Sequence, residues 1–227
     1  VTEDEKHENL DVKYIDDRMI ETPSIAVGNA FLEIKEMANY AKESVQYAIE
    51  GILNNSREEV EKTFEMEKKV NQIQRQLLAF LVKLSKESLN EDERNKVTNL
   101  IYAVNDIERI SDHGENIAEL GRDLINENLS LSEHAEDEIR EIYNLAINNF
   151  TDSMKCLEEI NLQLRKQVHE NERQVDLLEI GYRNHHLQRL NDGKCTVDSG
   201  VIYFDILNNL ERISDHSKNI ADYSYDI

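Results

Sequence analysis

A near-absence of residues that break helices constrains this chain more than any other feature. Its 227 residues include seven glycines and one proline, and Pro23 is followed by 204 residues without another proline. Average composition would give a chain of this length about 27 glycines and prolines in total. Sandwiches, barrels and βαβ folds need many turns, so these classes are excluded and the sequence predicts an all-α protein.

The charge of the chain narrows the choice of partners. With 47 acidic and 26 basic side chains, the net charge is −21. Nucleic acid and anionic lipid surfaces would repel such a protein, whereas multivalent cations are its natural counter-charge. The two cysteines, Cys156 and Cys195, form no disulfide framework and predict a reducing compartment.

Capping signals divide the chain into six long helices after a charged tail or linker, residues 1–21, that lacks helical periodicity. The first predicted helix begins at Thr22-Pro23 and ends at about Asn54. Three further helices begin at capping boxes: Ser56–Glu59 to about Ser88, Asn90–Glu93 to about Asn126, and Ser130–Glu133 to near Asn161. A fifth helix ends at Asn191-Asp192-Gly193, and a sixth follows a loop that ends at Gly200.

A twelve-residue segment occurs twice in the chain. The sequence ERISDHGENIAE at 108–119 recurs as ERISDHSKNIAD at 211–222, with nine of the twelve positions identical and an offset of 103 residues. Both copies lie in the third helix of a set of three. We therefore predict two tandem three-helix bundles, which comprise residues 22–128 and residues 129–227.

Each copy of the segment carries a stripe of oxygen-bearing side chains. On a helical wheel, Asn105, Glu108, Asp112, Asn116 and Glu119 fall within about 80° of one another. The second copy forms the same stripe with Asn208, Glu211, Asp215, Asn219 and Asp222. Apolar residues occupy the opposite side of each helix, so the stripes are expected to point away from the bundle core.

The preceding helix of each repeat carries a matching pair of polar residues. Glu67 and Asn71 precede the first copy, and Glu172 and Asp176 precede the second. In an antiparallel hairpin that turns near residue 89, Glu67 and Glu108 lie at nearly the same height. Carboxylate and amide oxygens that meet from two helices favour hard cations bridged by shared carboxylates.

Two other interpretations of these residues compete with metal binding. The stripes could be solvated faces of a helical interaction adaptor, although like charges four residues apart destabilise a helix. An enzyme is not expected, because the chain has no phosphate-binding loop, no cysteine pair for a metal and no Glu-x-x-His motif of a di-iron centre. His113 and His216, at the edge of the stripes, are either auxiliary ligands or exposed or capping residues.

The doubled E-R-I-S-D-H-x-x-N-I-A segment, with Glu-x-x-x-Asp at its centre, resembles the PhoU family of phosphate-uptake regulators. The resemblance extends over nearly the whole chain from Pro23. It implies two three-helix bundles that carry clusters of iron or another transition metal, such as zinc, on their surfaces. It also implies a regulatory role without catalysis.

The resemblance also implies a set of metal ligands. These are Glu108, Asp112, Glu211 and Asp215 on the third helices and Glu67, Glu172 and Asp176 on the second helices. The stripes and the matching pair on the second helix add further candidate ligands, which are Asn71, Asn116, Glu119, Asn219 and Asp222. Asn71 stands where many family members have aspartate, which argues against full metal occupancy of the first repeat.

Three segments resemble more narrowly the PhoU-like C-terminal regions of bacterial sodium–phosphate cotransporters: DRMIETPSIA at 17–26, RNHHLQRLNDGKC at 183–195 and GVIYFDIL at 200–207. This resemblance implies a domain on the cytoplasmic side of the cell membrane, with transmembrane helices before Val1. The alternative is a free-standing cytoplasmic regulator. The expected partners are a transporter part of the same polypeptide or separate phosphate-transport and sensor proteins, and a homodimer is a further option.

Overall fold

The computed structural model describes residues 12–224, and these form six long helices and no strand. The helices are α1 (Pro23–Leu53), α2 (Arg57–Leu84), α3 (Glu91–Asn126), α4 (Glu133–Glu158), α5 (Leu162–Asn191) and α6 (Val197–Tyr223), and a short 3-10 helix, Asp17–Glu21, precedes α1. The all-α prediction is confirmed. Within residues 12–224, no helix combines the length and the apolar character needed to cross a bilayer.

The helices pack as two groups of three that share a core. Helix α1 packs against α2 and α3, and α4 packs in the same way against α5 and α6. The two groups meet mainly where α3 lies against α6, with a smaller contact between α1 and α4. Buried apolar side chains of both groups, among them Ile107 of α3 and Ile213 of α6, belong to one contiguous core.

Three helices end in the same left-handed turn. Asn55, Asn128 and Gly193, which follow α1, α3 and α5, have φ angles of 49°, 52° and 67°. In each turn the next amide donates to a carbonyl five residues back, as Ser56 does to Gly51 at 2.9 Å. This is the Schellman arrangement, which satisfies carbonyls that the end of a helix would leave unpaired.

The predicted helix starts are partly confirmed. Asn90 and Glu93 form a complete capping box at the start of α3. Ser56 stands at the N-cap of α2, but its side chain makes no capping hydrogen bond. The start of α4 was predicted two residues early, since Ser132 and not Ser130 accepts the capping bond, from the Ala135 amide.

Two helix boundaries also differ from the prediction. Helix α2 ends at Leu84, four residues before the expected Ser88. Helix α6 begins at Val197, because the Thr196 side chain accepts a hydrogen bond from the Ser199 amide and caps the helix there. Gly200 therefore lies within the first turn of α6, where it is buried and packs closely against His186.

The segment immediately before α1 is part of the fold. The Tyr14 amide donates to Glu33 Oε2 of α1 at 2.7 Å, and Lys83 Nζ of α2 lies 2.5 Å from Asp17 Oδ2. These contacts tie the last part of the predicted tail to the first bundle. Residues 1–11 of that predicted tail, and the last three residues of the predicted second repeat, lie outside the described residues.

Close packing of α3 on α1 depends on Gly114. A methyl group at this position would lie 2.8 Å from Ser44 Oγ and 3.1 Å from the Val45 backbone nitrogen. Gly28, in the exposed part of α1, has no heavy atom within 4 Å of the same methyl position. Only the first glycine is therefore required by packing.

We predict opposite effects from alanine at these two glycines. Gly114→Ala should lower the free energy of unfolding by about 2 kcal/mol, because backbone atoms of α1 cannot move away without disturbing the core. Gly28→Ala should raise it by about 0.5–1 kcal/mol, since alanine favours the helix. Urea unfolding measures both, and equal effects of the two substitutions would contradict the packing argument.

Candidate functional site

Three carboxylates of the first repeat converge between α2 and α3. Oxygens of Glu67 from α2 and of Asp112 and Glu115 from α3 all lie within 4.8 Å of one another. We call these three residues the first cluster. Glu67 is only 8% exposed, and its Oε1 accepts a hydrogen bond from the side-chain amide nitrogen of Asn71, Nδ2. The hairpin of α2 and α3 thus places a buried acid against two acids of the neighbouring helix.

The surroundings of the first cluster disfavour the charged form of its carboxyl groups. Burial, followed by the neighbouring carboxylates of α3, raises the pKa of Glu67 to about 7. Burial is also the main cause that raises the pKa of Asp112, of Glu115 and of the adjacent Glu108. Between described residues, no lysine or arginine forms an ion pair with the three acids of the cluster. A cation bound there would relieve both the burial and the repulsion.

The second repeat forms an equivalent group between α5 and α6. Oxygens of Glu172 and Asp176 from α5 and of Asp215 from α6 lie within 4.8 Å of one another. We call these three residues the second cluster. Unlike the first cluster, it includes a basic side chain: Lys218 Nζ contacts Glu172 Oε1 and lies 3.9 Å from Asp215 Oδ1.

The second cluster contains both acids whose pKa is raised and a lysine whose pKa is raised. Burial is the largest cause that raises the pKa of Asp176, and also that of Asp215 and Glu211. Burial is the largest single effect on Lys218 and lowers its pKa, but the hydrogen bond to Glu172 and the negative charges of Glu172, Asp215 and Asp176 together outweigh it, and the pKa is raised. Lys218 therefore stays protonated at neutral pH.

The two clusters use different positions to collect three acids. Asn71 and Asp176 are the second polar residues of the matching pairs on α2 and α5, so the first repeat lacks an acid there. Glu115 of α3 supplies the missing carboxylate, and its equivalent 103 residues later is Lys218. The sequence argument from Asn71 against the first repeat overlooked this compensation.

Glu115 and Lys218 are the residues of the clusters that the sequence analysis missed. On the helical wheel each lies about 60° from the central aspartate of its stripe, just beyond the predicted edge. A signal was nevertheless present, because this is the one position of the doubled segment at which the two copies carry opposite charge.

The structure separates several predicted stripe residues from the clusters. The Asn116 and Asn219 amide groups face the other repeat, where they donate to Asn209 Oδ1 at 3.3 Å and Asp106 Oδ1 at 3.4 Å. Both asparagines were expected among the ligands, and they lie instead at the contact between the repeats.

The ends of the stripes also lie apart from the clusters. Asp222 binds Arg165 Nε and His169 Nε2 of α5, each at 2.7 Å. Glu119 is exposed. Glu108 and Glu211 are half-buried beside the clusters, although neither belongs to the groups of three acids whose oxygens converge.

The two histidines of the doubled segment lie at the contact between repeats. His113 Nδ1 is 2.8 Å from Asn209 Oδ1, and His216 Nδ1 is 2.6 Å from Asp106 Oδ1. Their rings face each other with centroids 5.5 Å apart. Asn209 and Asp106 are themselves 103 residues apart, so the same contact occurs twice. This approximate two-fold arrangement is a role that the sequence analysis did not consider.

The donor chemistry of the first cluster fits a metal ion. Its three converging groups are carboxylates, with the Asn71 side chain and the half-buried Glu108 close by. Oxygen donors of this kind suit a hard cation, and the absence of imidazole and thiolate donors in the cluster disfavours zinc relative to trivalent iron. The second cluster fits less well, because a protonated amine has no free electron pair to offer a metal.

Known proteins share the sequence pattern. A family model described as the PhoU domain matches residues 34–121 and 139–224, once in each repeat. The phosphate-specific transport system accessory protein PhoU homolog 1 of Thermotoga maritima is 22% identical over 192 residues, which cover 84% of this chain and 82% of that protein.

Solved structures share the fold. The crystal structure of PhoU from Pseudomonas aeruginosa matches with a TM-score of 0.80 and 19% identity, over 90% of this chain and 96% of that one. The phosphate transport system regulatory protein PhoU from Streptococcus pneumoniae matches with a TM-score of 0.80 and 17% identity, over 89% and 95%. At these identities the likeness shows the fold.

We predict that the metal-free protein loses stability as the pH rises. Because the folded state raises the pKa of Glu67 from 4.5 to about 7, its contribution to stability is present below pH 4.5 and is lost as the pH rises through 7. In chelator, Tm should fall between about pH 5 and about pH 8. Glu67→Gln should raise Tm at the upper end by about 3 °C and flatten the profile.

The matched control for this measurement is Glu65→Gln, which removes an exposed acid of the same helix. It should leave the pH profile of Tm unchanged. A Glu67→Gln protein whose profile parallels that of the unsubstituted protein would show that Glu67 does not titrate in this range.

Proposed function

Because the chain belongs to the PhoU domain family, we propose that it is a regulator of phosphate transport whose first cluster binds iron. The observation that carries the regulatory role is the family match itself, which occurs once in each three-helix unit. The relatives are named as an accessory protein and a regulatory protein of phosphate transport systems. A regulator needs no catalytic residues, in keeping with the sequence-based expectation of a non-enzymatic protein.

The free-standing form of such a regulator is better supported than a cotransporter tail. The relatives are named as PhoU proteins, and one of them as an accessory protein of a phosphate-specific transport system. The assignment to a sodium–phosphate cotransporter, with a place on the cytoplasmic side of the membrane, stays a prediction from the three short segments quoted above.

The partners we propose are proteins of the phosphate-transport system. With a net charge of −21, the chain would be repelled by anionic lipid and by nucleic acid, so its contacts with a membrane system should run through protein. A cation held in the first cluster would reduce this negative charge locally. Metal binding would therefore change the surface that the hairpin of α2 and α3 presents to a partner.

Metal binding would also join two helices. Glu67 belongs to α2, whereas Asp112 and Glu115 belong to α3, so an ion shared by all three fixes the hairpin at this height. Because a ligand that binds only the folded state stabilises it by mass action, iron should raise Tm.

We predict that removing two acids of the first cluster abolishes iron binding there. Glu67→Gln combined with Asp112→Asn keeps the shape of both side chains and removes two negative ligands. Iron saturation should raise the Tm of the unsubstituted protein by about 5 °C, and the double variant should lose this rise. Elemental analysis of protein purified without chelators measures the iron directly.

The control for this experiment is Glu65→Gln with Asp123→Asn, which makes the same charge change at exposed positions of α2 and α3. It should keep both the iron and the rise in Tm. Equal iron content in the two double variants would mean that the acids are a solvated helix face, as in a metal-free adaptor.

The regulatory role is tested in cells. We predict that deletion of the gene changes the rate of radiolabelled phosphate uptake and its response to external phosphate. Cells that carry the Glu67→Gln, Asp112→Asn variant should resemble the deletion if metal is needed for regulation. Uptake that is identical in the parent and the deletion strain, in phosphate-rich and phosphate-poor medium, would contradict a role in phosphate transport.

A further inference from the structure

Charge differs between the two copies of the doubled segment at one position. Of the three differences between residues 108–119 and 211–222, Gly to Ser and Glu to Asp preserve charge, whereas Glu115 becomes Lys218. The structure gives this difference a location. Glu115 contributes one of the three carboxylates of the first cluster, and Lys218 reaches into the second.

Lys218 lies among the acids of the second cluster. Its Nζ contacts Glu172 Oε1 and is 3.9 Å from Asp215 Oδ1. Both partners are shielded from water, since the Glu172 side chain is 8% exposed and the Lys218 side chain 28% exposed. Arg212 adds a second positive charge, with Nη1 3.6 Å from Asp215 Oδ2.

Among residues 12–224, no lysine or arginine forms an ion pair with the three acids of the first cluster. Arg109, the equivalent of Arg212, lies 4.0 Å from Glu108 and forms no ion pair with Asp112. The two clusters therefore contain the same number of converging carboxylates, but among the described residues only the second has basic side chains that form ion pairs with its acids.

We infer that Lys218 occupies the cation position of the second cluster, so that metal enters the first cluster and is excluded from the second. This inference rests on the proposed metal binding by the first cluster. It makes the two repeats unequal in function although they are nearly equal in fold, and it assigns the inequality to one pair of residues, Glu115 and Lys218.

The exclusion follows from the chemistry of the ammonium group. A metal ion approaching Glu172 and Asp215 would have to break the contact with Lys218 and then remain beside an uncompensated positive charge. An ammonium group has no free electron pair with which to become a ligand, and Lys218 Nζ already contacts Glu172 and lies 3.9 Å from Asp215. Repulsion and loss of the ion pair both act against metal uptake.

Reciprocal charge swaps test the inference. Lys218→Glu replaces the ammonium group of the second cluster by the carboxylate that Glu115 supplies in the first, beside the three acids already there, and we expect it to double the iron bound per chain. Glu115→Lys replaces one acid of the first cluster by the ammonium group that Lys218 supplies in the second, and we expect it to remove the iron bound by the unsubstituted chain. Lys96→Glu, which makes the same charge change at an exposed position of α3, is the matched control and should leave the iron content unchanged.

A smaller substitution guards against failure of the swapped chain to fold. Lys218→Met keeps the length of the side chain and removes only its charge. Without metal, its Tm should fall by about 5 °C, because Glu172 loses its partner in a buried setting. Iron should then restore the Tm, since the second cluster has become free to bind it.

Asp112→Asn and Asp215→Asn, made separately, distinguish failure of this inference from failure of the proposed function. The inference is supported if the first substitution removes the iron and the second leaves it in place. It is overturned, with the proposed metal binding intact, if each substitution removes half. An unsubstituted chain without iron and a Lys218→Glu chain with iron would refute the proposed binding but support the exclusion. Absence of iron from all variants would overturn both.

Discussion

The packing of α3 against α6 is the interaction on which the rest of this molecule depends. His113 and His216 each bind a side chain of the opposite helix, at 2.8 Å and 2.6 Å, and their rings face each other between the two repeats. When α3 and α6 are held together in this way, the apolar residues of α3 face α1 and α2, and those of α6 face α4 and α5. The acids then turn outwards, against α2 in one repeat and against α5 in the other. One short segment thus supplies three surfaces of the same helix, and its duplication gives the fold its approximate two-fold symmetry.

Crowded carboxylates oppose this packing and need a positive charge. Placing Glu67 against α3 raises its pKa to about 7, which shows how unfavourable the charged form is at that site. The two repeats differ in the positive charge that offsets the repulsion among their carboxylates. In the second repeat, Lys218 provides the charge and is a permanent part of the structure. In the first repeat, no described basic side chain forms an ion pair with the three acids, so under the proposed metal binding the charge comes from solution and the state of that hairpin depends on the availability of a metal. A regulator can use such a dependence, whereas a purely structural bundle cannot.

Much of the fold could be read from the sequence, because helix formation depends on local signals. The scarcity of glycine and proline, the capping box at Asn90 and the doubled segment predict the helix class, one boundary and the repeat. The site was harder to predict. Periodicity assigns Asn116 and Asn219 to the acidic stripe, but in the packing of α3 against α6 they face the other repeat. The same packing places Glu115 and Lys218 in the clusters, and no pattern within a single helix encodes an orientation set by its neighbours.

The location of bound iron is the most direct test of this account. Crystals of the iron-loaded protein, measured on both sides of the iron absorption edge, give the positions of the metal without reference to activity or stability. The account predicts an anomalous peak between α2 and α3, within coordination distance of Glu67, Asp112 and Glu115, and none between α5 and α6, where Lys218 contacts Glu172. Peaks of equal height at the two hairpins, or a peak at the second alone, would contradict it.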